Sequence, residues 1–233
     1  MRIKLLVPGL GLAVALAAAP AASAQNPNKP PGTNNPPKPS ALTLDAKPST
    51  LIFSGLTTLS GRLTADKANG VTVRFEQDNT RPYGDSYKPV SGVTATTANN
   101  GMYSLSIKPL MNTSYRAVAQ ASPPTTSPAR IVLVRTLVGI KVSDSTPRRG
   151  SLVRFSGTVF PAHDGGTVLI QKRTSSGGFT TVARRRLTDA GAANSVYSRR
   201  LRINRDGVYR VKLPGDADHI NGFSRLKTIN VGG

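Results

Sequence analysis

The 233-residue chain has no cysteine and no tryptophan, two histidines, and 11 acidic residues against 31 basic ones. Without cysteine there are no disulfides, no thiolate metal sites, no cysteine nucleophile and no lipid-modified cysteine behind a leader. The scarcity of carboxylates argues against a hydrolase built on paired acids. The densest acidic run of the first half, Glu76, Asp78 and Asp85, offers fewer oxygens than a calcium loop needs. No Gly-x-Ser-x-Gly elbow, phosphate-cradling loop or His-Glu-x-x-His run occurs. Both histidines fall in turn-rich stretches, His163-Asp164-Gly165-Gly166 and Asp216-Ala217-Asp218-His219; the second is also compatible with a metal or acid-base cluster, but the favoured reading of both is a strand connection. The expectation is a protein that is not an enzyme, with no cofactor and no metal.

Residues 1–24 read as a signal peptide. Arg2 and Lys4 precede a short apolar run from Leu5 to Ala19, and Ala22-Ser23-Ala24 supplies small residues before Gln25. The prolines and glycines in that run make it short for a membrane span, and no transmembrane segment is expected in the mature chain. Residues 25–40, QNPNKPPGTNNPPKPS, hold six prolines among Asn, Lys, Gly and Ser, a disordered or semi-extended linker. The expected localisation is secreted or peripherally cell-wall associated.

From residue 41 onward, short apolar runs alternate with turn residues at the spacing of an all-β sandwich, and no stretch holds a helical period. The run is also duplicated. Tyr103-Ser104 is followed twelve residues later by Tyr115-Arg116, and Tyr197-Ser198 by Tyr209-Arg210. Ser60-Gly61 matches Ser156-Gly157, and the Asn69-Gly70 turn before Val71, Val73 and Phe75 matches Gly165-Gly166 before Val168 and Ile170. Two domains follow, 41–135 and 136–233, each large enough for one core. The seam at Arg135-Thr136 carries no Gly or Pro, which predicts a stiff, elongated pair.

Asp206-Gly207-Val208-Tyr209, an Asp-Gly turn leading into a strand tyrosine, resembles the tyrosine corner of immunoglobulin-like sandwiches, and Tyr115 takes the same place by the repeat. That resemblance implies that the phenols of Tyr115 and Tyr209 bond back to the preceding turn, worth about 1 kcal/mol each. The order Ser-Gly-x-hydrophobic, Gly-x-Val, Tyr-Ser, Tyr-Arg is similar to the tandem immunoglobulin-like or fibronectin-type-III-like repeats of secreted actinobacterial proteins. It implies two tandem immunoglobulin-like antiparallel β-sandwich domains and a noncatalytic role in spacing, adhesion or binding at a cell envelope.

The positive charge concentrates in the second domain, where 17 basic residues face 6 acidic ones from Leu137 onward. Arg184, Arg185, Arg186, Arg200, Arg202 and Arg205 are the candidate contact set for a polyanion, such as an anionic cell-wall polymer or acidic surface. The competing reading is a basic edge that only solubilises and blocks sheet-to-sheet association. Arg199 falls on the inward parity of its strand, so either it sits at the rim or a bulge shifts the register. A secreted sandwich without a recognition helix excludes sequence-specific nucleic acid as partner. The alternative function is a structural spacer or adhesion subunit without a specific ligand, and no feature of the sequence sets an oligomeric state.

Overall fold

Alternation of apolar and polar residues, with turns at Gly, Pro, Asn and Asp, produces strands and no helix among the described residues of the computed structural model, 40–232. The expected signal peptide and nearly all of the expected linker lie outside those residues.

The first repeat supplies β1 (Ala41–Leu42), β2 (Asp45–Lys47), β3 (Thr50–Ile52), β4 (Thr57–Thr64) and β5 (Thr72–Asp78). It continues with β6 (Lys88–Thr96), β7 (Met102–Ile107), β8 (Thr113–Ala119), β9 (Thr125–Thr126) and β10 (Arg130–Arg135). One sheet places β1 and β2 along one side of β4 and β7 along the other; the second runs β3-β10-β8-β5-β6, with β9 on β8. All pairings are antiparallel except β3 with β10, which is parallel through Thr50–Ile52 and Leu133–Arg135.

The second repeat supplies β11 (Leu137–Val138), β12 (Lys141–Val142), β13 (Ser151–Phe160), β14 (Thr167–Arg173) and β15 (Phe179–Arg186). β16 (Thr188–Asp189), β17 (Ser195–Ile203), β18 (Gly207–Leu213), β19 (Gly222–Phe223) and β20 (Lys227–Ile229) complete it. Here β11 and β12 flank β13, which pairs with β17 and through it with β16; the other sheet runs β15-β14-β18, with β19 and β20 on β18. The parallel pairing of β3 with β10 shrinks in this copy to a single bridge between Arg148 and Gly232.

Alternate residues of each strand enter the sandwich. Val73 and Phe75 are buried in β5 while Arg74 is exposed, and Val153, Phe155 and Val159 are buried in β13 while Leu152 and Arg154 are exposed. The buried side chains form two separate clusters, one from Leu42 to Val134 and one from Val138 to Ile229. The architecture is that of two tandem immunoglobulin-like β-sandwiches.

The duplicated motifs have duplicated physical roles. Gly61 faces Tyr103 across β4 and β7, and Gly157 faces Tyr197 across β13 and β17. A Cβ on Gly157 would lie 2.2 Å from the Gly139 carbonyl oxygen, and one on Gly61 would strike the Thr43 carbonyl oxygen, so the glycines leave room for a backbone carbonyl of the neighbouring first strand of each copy. The tyrosine then ties that strand down: the Tyr197 hydroxyl donates to the Gly139 carbonyl at 2.8 Å, and the Tyr103 hydroxyl donates to the Thr43 carbonyl.

This differs from the expectation for Tyr115 and Tyr209. Both are buried in their cores, Tyr209 with its ring centroid 5.2 Å from that of Phe155, but among the described residues neither phenol bonds a backbone group. The tie is made by the tyrosine of the Tyr-Ser pair, because its side chain passes over the glycine it faces on the intervening strand and reaches the Thr43 or Gly139 carbonyl of the first strand beyond.

The Tyr-Arg pair instead explains its arginine. Arg116 stacks 4.2 Å from the ring centre of Tyr87 and bonds Glu76, and Arg210 stacks 3.8 Å from that of Phe179 and bonds Gln171. Two buried serines repeat as well: Ser127 Oγ accepts the Ala117 N–H, and Ser224 Oγ accepts the Val211 N–H.

Candidate functional site

The outward face of the β13–β17 sheet sets cations opposite one another. The register sets Arg154 directly opposite Arg200 and Leu152 opposite Arg202, with Lys141 opposite Ser156 on the far side of β13. Like charges on facing positions repel. Among the described residues no arginine or lysine of the second repeat makes an ion pair with a carboxylate. The cations are held by neutral groups instead: Arg202 donates to the Gly150 carbonyl at 2.7 Å, and Lys172 Nζ lies 3.5 Å from the Arg205 carbonyl.

On this face lies a groove of about 840 Å³. Lys141, Arg154, Arg185 and Arg225 line it, its apolar floor includes Leu137 and Phe160, and no carboxylate borders it. A smaller concavity of about 390 Å³, between β17 and the other sheet of the repeat, is lined by Lys172, Arg202 and Arg205 beside Tyr209.

The six arginines singled out in the sequence are therefore divided. Arg185 enters the large groove, Arg200 stands on the same face, and Arg202 and Arg205 border the small concavity; Arg184 and Arg186, on the other parity of the edge strand β15, line neither. β15 and β17 belong to different sheets and do not pair. Arg199 is exposed opposite Phe155 with the ladder unbroken, which resolves its position as a rim and not a bulge. Arg154, Lys141 and Arg225 were not singled out. Arg154 was within reach of a sequence argument, since aligning Gly157 with Tyr197 puts it across from Arg200.

No family model and no curated protein matches the chain. Among solved structures it is similar to a marsupial T cell receptor at 9% identity over 83% of this chain and 73% of that one, with a TM-score of 0.33. It is also similar to bovine butyrophilin at 13% identity over 82% of this chain and 99% of that one, with a TM-score of 0.40.

A second constellation forms where the two repeats meet. The segment between β18 and β19 lies against the first repeat: the Ile220 N–H donates to the Val134 carbonyl at 2.9 Å, and the Asn112 N–H donates to the Asp218 carbonyl at 2.7 Å. Asn112 Oδ1 also accepts the buried Val134 N–H at 2.8 Å, and Arg135 reaches the Asn221 carbonyl at 3.1 Å. The same segment carries Asp216 and His219, and the loop between β13 and β14 brings His163 to them.

His163 Nε2 lies 3.1 Å from Asp216 Oδ2, and His219 Nδ1 lies 3.7 Å from Asp216 Oδ1. Burial opposes the charge on Asp216. The backbone N–H groups of His219 and Asp218, with the positive charge the two imidazoles carry when protonated, outweigh it and hold the carboxyl below the usual range. The sequence reading separated these histidines into two ordinary turns. The signal that joins them is topological, since the β13–β14 and β18–β19 connections emerge at the same end of the sandwich.

Proposed function

We propose that the chain is a secreted, noncatalytic tandem immunoglobulin-like module of the cell envelope that binds an anionic polymer through its second repeat. The observation that carries the reading is the carboxylate-free groove bordered by Lys141, Arg154, Arg185 and Arg225, next to Arg200. Facing cations without internal counter-charges are stabilised by an external anion. Apolar floor residues suit a polymer whose charged groups alternate with less polar ring or polyol faces, such as a polyuronate or a polyol phosphate. The likeness to repeats of secreted actinobacterial proteins and the expected leader support an extracellular setting. Among the described residues no helix is long and apolar enough to cross a membrane.

The test is titration with a polyuronate and a polyphosphate across a salt series. Affinity is expected to fall linearly on a log–log plot, each neutralised phosphate contributing a slope of roughly 0.7–0.9 by analogy with nucleic acids. Arg154→Gln with Arg200→Gln lowers both affinity and slope. Salt-independent binding, or binding indifferent to these substitutions, refutes the reading.

The alternative, a structural spacer or adhesion subunit without a specific ligand, draws on the bonds across the junction between repeats. Salt extraction of intact cells separates the two readings. An electrostatically held protein leaves with salt, and a spacer held by protein contacts stays.

A further inference from the structure

The cluster of His163, Asp216 and His219 has a bonding arrangement that one proton does not complete. His163 Nδ1 sits 2.8 Å from the Pro161 carbonyl, so Nδ1 carries the hydrogen and Nε2 turns its lone pair toward Asp216 Oδ2. His219 Nε2 sits 2.9 Å from the Leu110 carbonyl, so Nε2 carries the hydrogen and Nδ1 is left as an acceptor. That Nδ1 is buried without any hydrogen-bond partner, and its 3.7 Å separation from Asp216 Oδ1 is too long for a hydrogen bond. Protonating His163 satisfies the 3.1 Å contact with Asp216 and leaves His219 Nδ1 stranded. A single divalent cation among the three satisfies all of them.

We propose that His163 Nε2, His219 Nδ1 and an Asp216 carboxylate oxygen form a zinc site at the junction of the two repeats. The candidate ligand atoms all lie within 4.8 Å of one another. A tetrahedral centre with bonds of about 2.1 Å has ligand-to-ligand edges of about 3.4 Å; the 3.1 Å from His163 Nε2 to Asp216 Oδ2 is close to one such edge, and His219 Nδ1, 3.7 Å from the other oxygen of the same carboxylate, closes the set with a small side-chain adjustment. Two imidazoles and one carboxylate suit zinc with water in the fourth position, and supply too few oxygens for calcium or magnesium. The outer shell is already built. Each imidazole donates its other N–H to a backbone carbonyl, and Asp216 Oδ1 accepts the N–H groups of Asp218 and His219, leaving Oδ2 free. Because His219 bonds Leu110 and its segment bonds Asn112 and Val134, an ion held here fixes the segment that fastens the second repeat to the first.

The full chain, prepared without a histidine tag and stripped with a chelator, is titrated with Zn²⁺ by calorimetry and with Co²⁺ by absorption spectroscopy. The expected result is one ion per chain, the intense visible bands of four-coordinate Co²⁺, and slowed amide exchange at Asn112 and Ile220 on loading. His163→Gln changes a ligand in a loop with little cost to the fold. It is expected to weaken binding by more than the roughly 10–100-fold that losing an outer-shell partner costs, and to abolish the Co²⁺ bands. Asp66→Asn, which removes an exposed carboxylate of the first repeat outside the cluster, leaves the titration unchanged. Absence of saturable 1:1 binding overturns the proposal, as does undiminished binding by His163→Gln.

Discussion

Gly157→Ala tests the packing device that both repeats share. The added methyl would sit 2.2 Å from the Gly139 carbonyl oxygen and 2.8 Å from the Tyr197 ring. Carbon and carbonyl oxygen rest at about 3.3 Å or more, so the first strand of the second repeat must retreat by about 1 Å. Since one obstacle is backbone, rotamer changes do not relieve it, and overpacking of this kind costs about 1–3 kcal/mol. Retreat also breaks the 2.8 Å bond from Tyr197 to Gly139, another ~1 kcal/mol. Replacing glycine returns roughly 0.5–1 kcal/mol of backbone entropy, so the net loss is about 1–3.5 kcal/mol. For a domain of this size that lowers the melting temperature by roughly 5–25 °C. Thermal unfolding followed by circular dichroism reads the magnitude, and amide exchange assigns the lost protection to β13 and β17 and not to β4 and β7. Combined with Tyr197→Phe, the loss is expected to be less than additive, because both substitutions release the same contact. A melting temperature within about 2 °C of the parent, or strict additivity with Tyr197→Phe, refutes the reasoning.

Asn112→Ala removes the acceptor for the buried Val134 N–H and is expected to destabilise by about 1–3 kcal/mol in urea unfolding, with faster exchange at Ile220 in the facing segment. Arg210→Ala removes a guanidinium stacked on Phe179 and Phe223 and bonded to Gln171; the loss of about 1 kcal/mol is expected to show as a lower urea midpoint with an unchanged slope. Burial raises the phenols of Tyr103, Tyr115, Tyr197 and Tyr209. The unfolded chain, whose phenols titrate near 10, then sheds those protons first, so this contribution to stability is complete below pH ~10 and drains away as pH climbs above it. Tyrosinate absorbance is expected to rise together with unfolding, and Tyr103→Phe with Tyr197→Phe to flatten the alkaline decline.

The duplication was legible because the repeated residues serve contacts inside each copy. Ser-Gly and Tyr-Ser recur since Gly61 must face Tyr103 and Gly157 must face Tyr197 for each phenol to reach a carbonyl of the first strand. Which tyrosine ties the backbone was not legible. Tyr103 and Tyr115 both lie on inward parities, and only the course of the first strand puts the Thr43 carbonyl beside one of them. The charged face was legible as a composition and not as a set. Parity separates Arg200 and Arg202 from their neighbours, but pairing partners decide that Arg154 joins them while Arg184 and Arg186 do not. His163 and His219 met only through two loops at one end of a sandwich, a juxtaposition that local turn chemistry does not encode.

The parallel ladder between β3 and β10 has a mechanical consequence. When tension is applied through the two ends of the first repeat, these strands are loaded in shear, so that their rungs, extended by the bonds from Leu133 to Ser49 and from Phe53 to Arg135, share the load and yield together. In the second repeat the same place holds one bridge, backed by bonds from Asn230 to Ser145 and from Gly232 to Pro147. Tension applied through both ends of the described residues thus opens the second repeat first, and the first repeat remains as the stronger link.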